Sequence, residues 1–226
     1  MALFIGLFLA LICLIVYLSY FLHSPTKRTD ELSAWCRSQG LNYYPSQEFD
    51  VSQRCAPFLC LTTGHNRYAY NFMIGRLAGH DIYAFDYHFE TYSIENRSHE
   101  KAYKFSAVVV ETDLPLKPLL IRPKYFLDKL AHSIGFQDID LESIAFNDKF
   151  YVKSPDRSWA FDILNQKVME FMLTSPSYYL EFCGSQILAY NESIFTTTEF
   201  EEALKFITGI IDRMPSYLIR EISNTK

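Results

Sequence analysis

The sequence predicts an α+β protein: an N-terminal transmembrane helix followed by one domain in which amphipathic helices pack on an antiparallel β-sheet. Three observations lead there. The first 22 residues, MALFIGLFLALICLIVYLSYFL, carry no charge. Runs of β-branched and aromatic residues then cluster between Pro57 and Pro123, and segments with helical periodicity follow them. Strands clustered ahead of interspersed helices are the pattern of an α+β domain.

An uninterrupted apolar run of that length matches the roughly 20 residues a helix needs to cross a bilayer. No Lys or Arg precedes it, and the exit SYFLHSPTKR has no small-x-small site, so the reading is an anchor over residues 1–23 and not a cleaved signal peptide. Ile12 ahead of Cys13 argues against a lipoprotein site. Lys27, Arg28 and Arg37 follow the apolar run, which by the positive-inside rule places the rest of the chain in the cytoplasm. The sequons at Asn96 and Asn191 are accidental on that side. Cys36, Cys55, Cys60 and Cys183 show no CxxC spacing and read as reduced, mostly buried thiols.

Residues 24–56 are expected to form a juxtamembrane helix and linker. Thr29 is the expected cap, Leu32, Trp35 and Cys36 share a face, and Gly40 is the stop. The domain proper is expected over 57–226. Its predicted strands are FLCLTT, RYAYNFMIGRL, DIYAFDYHFETYS, AYKFSAVVVETD and a separate LLIRP, with AGHD as a compact turn and YSIENRSHEKAY as a loop. A helix from Pro123 to Gly135 follows, then a strand in ESIAFNDKFYVKS. One helix over SPDRSWAFDILNQKVMEFMLT opens on Ser154 and Pro155. YYLEFCGSQILAYNES reads as a hairpin about Gly184. Thr198 and Glu201 are the expected capping box of a closing amphipathic helix that Pro215 interrupts.

The net charge of −5 and the lack of a Lys/Arg cluster exclude a protein that grips nucleic acid by its phosphates. There is no GxSxG elbow, no GxxxxGK[ST] and no GxGxxG in a strand-to-helix context. No catalytic residue and no cofactor is therefore expected. The one chemical candidate is metal ligation by His65, His80, Asp86 and His88, since imidazole and carboxylate suit zinc or a similar ion. Alternation on the third strand puts Asp86 and His88 on one face, expected to be exposed, with Tyr83, Phe85, Tyr87 and Phe89 on the core side. The acidic run Asp138–Glu142 reads as a solvated turn.

The chain also resembles a group of uncharacterised bacterial single-pass membrane proteins with a cytoplasmic domain. The features are the Gly75/Gly79 hairpin leading into Phe85-Asp86-Tyr87, Arg122-Pro123 before a helix, and Asp138, Asp140, Glu142, Phe146, Asn147, Phe150 and Val152. The resemblance implies fold and location and no activity. The expected function is a membrane-anchored accessory module, held in the lipid bilayer by residues 2–22, that contacts a membrane protein partner. The alternatives are a metal-assisted hydrolase, or a binder of lipid or a small apolar ligand between the sheet and the closing helix.

Overall fold

The computed structural model describes residues 11–12, 25–46, 51–92, 100–124, 138–215 and 217–218. Most of the expected transmembrane segment, the loop 93–99 and the helix expected over 123–135 lie outside these residues, except that Pro123 ends a strand. Among the described residues no helix is long and apolar enough to cross a membrane.

The elements run α1 (Pro25–Gln39), β1 (Asn42–Tyr44), α2 (Leu59–Thr62), β2 (His65–Leu77), β3 (His80–Tyr92), β4 (Glu100–Pro123), α3 (Ile144–Lys149), β5 (Phe150–Lys153), α4 (Arg157–Ile163), α5 (Gln166–Thr174), β6 (Tyr179–Asn191) and α6 (Thr197–Ile211). The six strands form one antiparallel sheet in the order β1-β2-β3-β4, with β4 as its hub. Its first half pairs with β3, its last residues pair with β5, and β6 runs along its other edge.

The β2–β3 hairpin closes through Ala78 and Gly79, both at positive φ (50° and 84°). Such turns match the right-handed twist of the flanking strands. Gly184, at φ 64°, marks a bulge and not the expected turn. Glu111 faces Gln186 and Leu116 faces Gly184, so four residues of β4 bulge out opposite Ser185, and Thr112 Oγ1 donates to the Ser185 carbonyl. Two predicted strands on each side of that bulge are thus single long strands that bend together.

Both faces of the sheet are buried. On one, α1 and α3–α6 cover a core that includes Met73, Ile82, Ala84, Val108, Ile121, Phe182, Phe200 and Ile207. On the other, residues 51–62 cover Phe72, Phe85, Tyr87, Phe105, Leu188 and Tyr190. Residues expected to be linker and juxtamembrane helix are therefore built into the domain: Leu32 and Cys36 belong to the first core, Val51 and Cys55 to the second, and β1 pairs with β2.

Several local expectations are corrected. FLCLTT folds as the helical turn α2, not a strand, because the Glu181 carboxylate accepts from its first amides. Thr29 lies inside α1. ESIAFNDK is the helix α3, capped by Ser143, and only the last part of that segment is strand. The segment 154–174 divides into α4, capped by Asp156, and α5, capped by Asn165. The capping box of α6 is Thr196 with Glu199, two residues earlier than expected. The Asp138–Glu142 turn buries Ile139 and Leu141, while Asp138 reaches Lys153 at 3.4 Å.

Candidate functional site

β3 alternates as expected, with Ile82, Ala84, Asp86, His88 and Glu90 on the face opposite Phe85 and Phe89. That face is not exposed: Asp86 is 0% and His88 6% accessible. The cover comes from α1 and from the connection between β6 and α6, neither of which strand periodicity can reveal.

Asp86 is the centre of a buried network. Arg28 donates from Nε to Oδ2 at 3.0 Å and from Nη2 to Oδ1 at 2.7 Å, a two-point pairing that suits a planar guanidinium. Asn71 Nδ2 donates to Oδ2 at 2.8 Å and Ser106 Oγ to Oδ1 at 2.5 Å. Arg28 Nη1 reaches the Phe195 carbonyl at 2.8 Å, and the Phe195 amide donates to Ser106 Oγ. Tyr43 OH donates to Asn71 Oδ1. Asn71 arrives on this face through an irregularity in β2 pairing between Tyr70 and Met73, where its φ is 51°; Asn tolerates that left-handed conformation better than most residues. The network built on this carboxylate thus joins six segments: α1, β1, β2, β3, β4 and the β6–α6 connection. Tyr70, beside it, has its phenol pushed up, chiefly by burial and then by the Asp86 charge.

Further along the same face, His65, Glu90 and Glu100 bring one ligand atom each to within 4.8 Å of one another. His65 Nε2 lies 3.3 Å from Glu100 Oε1 and 3.9 Å from Glu90 Oε2. Glu90 Oε1 is held by Asn66 Nδ2 at 2.8 Å and pairs with His88 Nε2 at 3.0 Å, which leaves Oε2 turned to His65. The Asn66 and His88 contacts hold the Glu90 carboxyl below its usual range. One imidazole and two carboxylates can ligate a divalent cation, and protonated His65 can equally bridge the pair as a salt bridge. Of the four expected ligands, then, His65 and His88 both meet Glu90. Asp86 is committed to Arg28, and His80, eight residues from His88 on β3, stands ~26 Å away along the strand.

The opposite face holds the second buried carboxylate. Glu181 on β6 accepts from the Leu59 and Cys60 amides at 2.5 and 3.1 Å, and burial raises its pKa against the pull of these donors. Gln186 accepts from the Ala56 amide and donates to the Arg54 carbonyl and to Glu111. Together they latch residues 51–62 onto the sheet. Beside this latch a groove of about 480 Å³ opens between Cys55, Pro57, Leu61, Gly64, Arg67 and Tyr87. The space between sheet and closing helix, expected for an apolar ligand, is filled: Phe195 meets Phe200 at 5.4 Å and Tyr178 meets Phe206 at 5.1 Å between ring centroids.

Arg28, Asn71, Glu90, Glu100 and Glu181 are the residues sequence reading missed. Only Glu90 carried a signal, as the next position on the Asp86–His88 face.

No family model and no curated protein matches this chain. A solved structure does match in fold: the mycobacterial trehalose monomycolate transport factor A, TtfA, at a TM-score of 0.60 and 14% identity, over 81% of this chain and 92% of that one. The likeness establishes a shared α+β architecture.

Proposed function

We propose that this protein is a membrane-anchored accessory module that acts through protein–protein contacts, with residues 2–22 in the bilayer and the α+β domain on the cytoplasmic side of a bacterial inner membrane. The observation that carries the reading is the way α1 is held. Arg28 stands six residues after the apolar run and is clamped to the centre of the sheet by Asp86. A clamp of that kind fastens the start of α1 to the sheet. The two buried carboxylates, Asp86 and Glu181, are both engaged in holding segments together. The shared fold with a protein described as a transport factor agrees with an accessory role.

Mild cross-linking of tagged protein in its native membranes, followed by detergent extraction, tests the proposal. A membrane protein partner in fixed stoichiometry is the expected result. Protein that runs alone, or that alkaline carbonate strips from the membrane, contradicts it. Elemental analysis of the same sample reads the second possibility, a zinc, manganese or iron ion on His65, Glu90 and Glu100.

A further inference from the structure

We propose that the outer end of the β2–β3–β4 sheet, through Tyr68, Tyr92 and Lys104, rests in the phospholipid headgroup layer of the membrane that anchors the chain. The inference rests on the anchored reading above and adds a surface to it.

The direction of α1 carries it. Near its start, Arg28 reaches Asp86 and the Phe195 carbonyl; past its end, Leu41 lies against Gly75, and Asn42 pairs with Ile74. The helix therefore packs on β1, β2 and α6 and runs from the level of Asp86 toward that of Gly75. Its N-terminus points along the sheet toward His88, Glu90 and Tyr92.

Chain lengths then set the distance. From Arg28 back to Pro25 is three helical residues, ~4.5 Å at the α-helical rise. Three more chain steps lead from Pro25 back to Leu22, the last residue of the apolar run, and span at most ~11 Å. Chain length alone therefore keeps Leu22 within roughly 15 Å of Arg28. The sheet goes further: Asp86 to Tyr92 is six strand residues, ~20 Å. With the anchor in the bilayer, the strand ends reach the headgroup layer.

The side chains there have the chemistry for it. Pairing puts Tyr68 beside His88, Tyr70 beside Asp86, Lys104 beside His88 and Glu100 beside Tyr92 on this face. Tyr68 stacks on His88 at 4.6 Å and His65 on Tyr92 at 4.7 Å, which makes a wall of amphipathic rings whose outermost member, Tyr92, is 58% exposed. Tyrosine favours the membrane–water interface, where its ring and hydroxyl meet apolar and wet surroundings at once. Lys104 is an exposed cation on the same side for lipid phosphates, and exposed Lys27 lies 3.8 Å from Glu31. The acidic members, Glu90 and Glu100, face His65.

The test uses the full chain in vesicles of phosphatidylcholine and phosphatidylglycerol, with Cys13→Ser and Cys183→Ser and a fluorophore on Tyr92→Cys or, as control, on Ile144→Cys. Ile144 is 78% exposed on α3, at the β5 end of the sheet. Lipids carrying a nitroxide at the headgroup should quench the label at 92 several-fold more than the label at 144. Equal, weak quenching at both positions in carbonate-resistant protein overturns this surface and leaves the anchor standing. Protein that carbonate releases from the vesicles overturns the anchor and the surface together.

Discussion

Arg28 and Asp86 show how one residue pair can fix the relation between a helix and a sheet. Asp86 has no access to solvent and four donated hydrogen bonds, so its charge is stable only while its donors stay in place. Arg28→Ala leaves that carboxylate buried and short of its cation. Its expected cost is ~3–5 kcal/mol, the range for breaking a buried pair from one side. Replacing both partners, as Arg28→Met with Asp86→Leu, should recover part of the loss, since Asn71 and Ser106 still lose their acceptor. Urea unfolding of the three chains checks this; a single variant no weaker than the double contradicts it.

Glu181 makes the opposite case, a carboxyl whose pKa burial has raised. Between the ordinary carboxylate value, ~4.3, and that raised value, the folded chain binds the proton more tightly than the unfolded one. The stability due to this group is complete below the ordinary value and is lost as pH rises through the folded one. Glu181→Gln has no charge to desolvate. Its unfolding midpoint, measured from acid to neutral pH, should gain on wild type as pH rises and then hold constant. A difference that does not vary with pH contradicts this.

At the scale of elements, the β2–β3 hairpin invites a stabilising change. Ala78 sits at φ 50° ahead of Gly79, in a position where Asn is favoured and a plain Cβ is strained. Ala78→Asn should raise stability by ~0.5–1 kcal/mol, visible as a higher urea midpoint with unchanged slope; an unchanged or lower midpoint counts against it.

How legible each element is in the sequence follows from where its information lies. β2, β3 and the hairpin between them are local: alternation, β-branched and aromatic residues, and a glycine turn suffice. α6 is local too, since its apolar stripe and its acidic first turn need nothing else. Gly184 misleads because a left-handed glycine serves a bulge as well as a turn, and only the presence of β4 alongside decides between them. FLCLTT misleads because its helical turn depends on Glu181, more than a hundred residues away. The Asp86 site is half legible. Strand periodicity puts Asp86 and His88 together, whereas their burial depends on Arg28 and Phe195, which reach them only in the folded chain.

On the scale of the whole molecule, a sheet covered on both faces, with α1 fastened to its centre, leaves little slack between that helix and the strands. Rigidity of this sort suits the proposed role, that of a part that presents a surface to a partner. Burial also keeps the thiols quiet: Cys36 is pushed up to about 11 and Cys55 to about 12, both mainly by desolvation. These cysteines therefore behave as packing residues. The central claim is that the domain carries the partner contact and the apolar segment supplies only location. The measurement that meets it most directly is the stoichiometry of the cross-linked partner when residues 2–22 are exchanged for an unrelated transmembrane helix. The account predicts that the same partner is recovered in the same ratio as with the native chain. A domain that stays in the membrane yet comes back alone would contradict it.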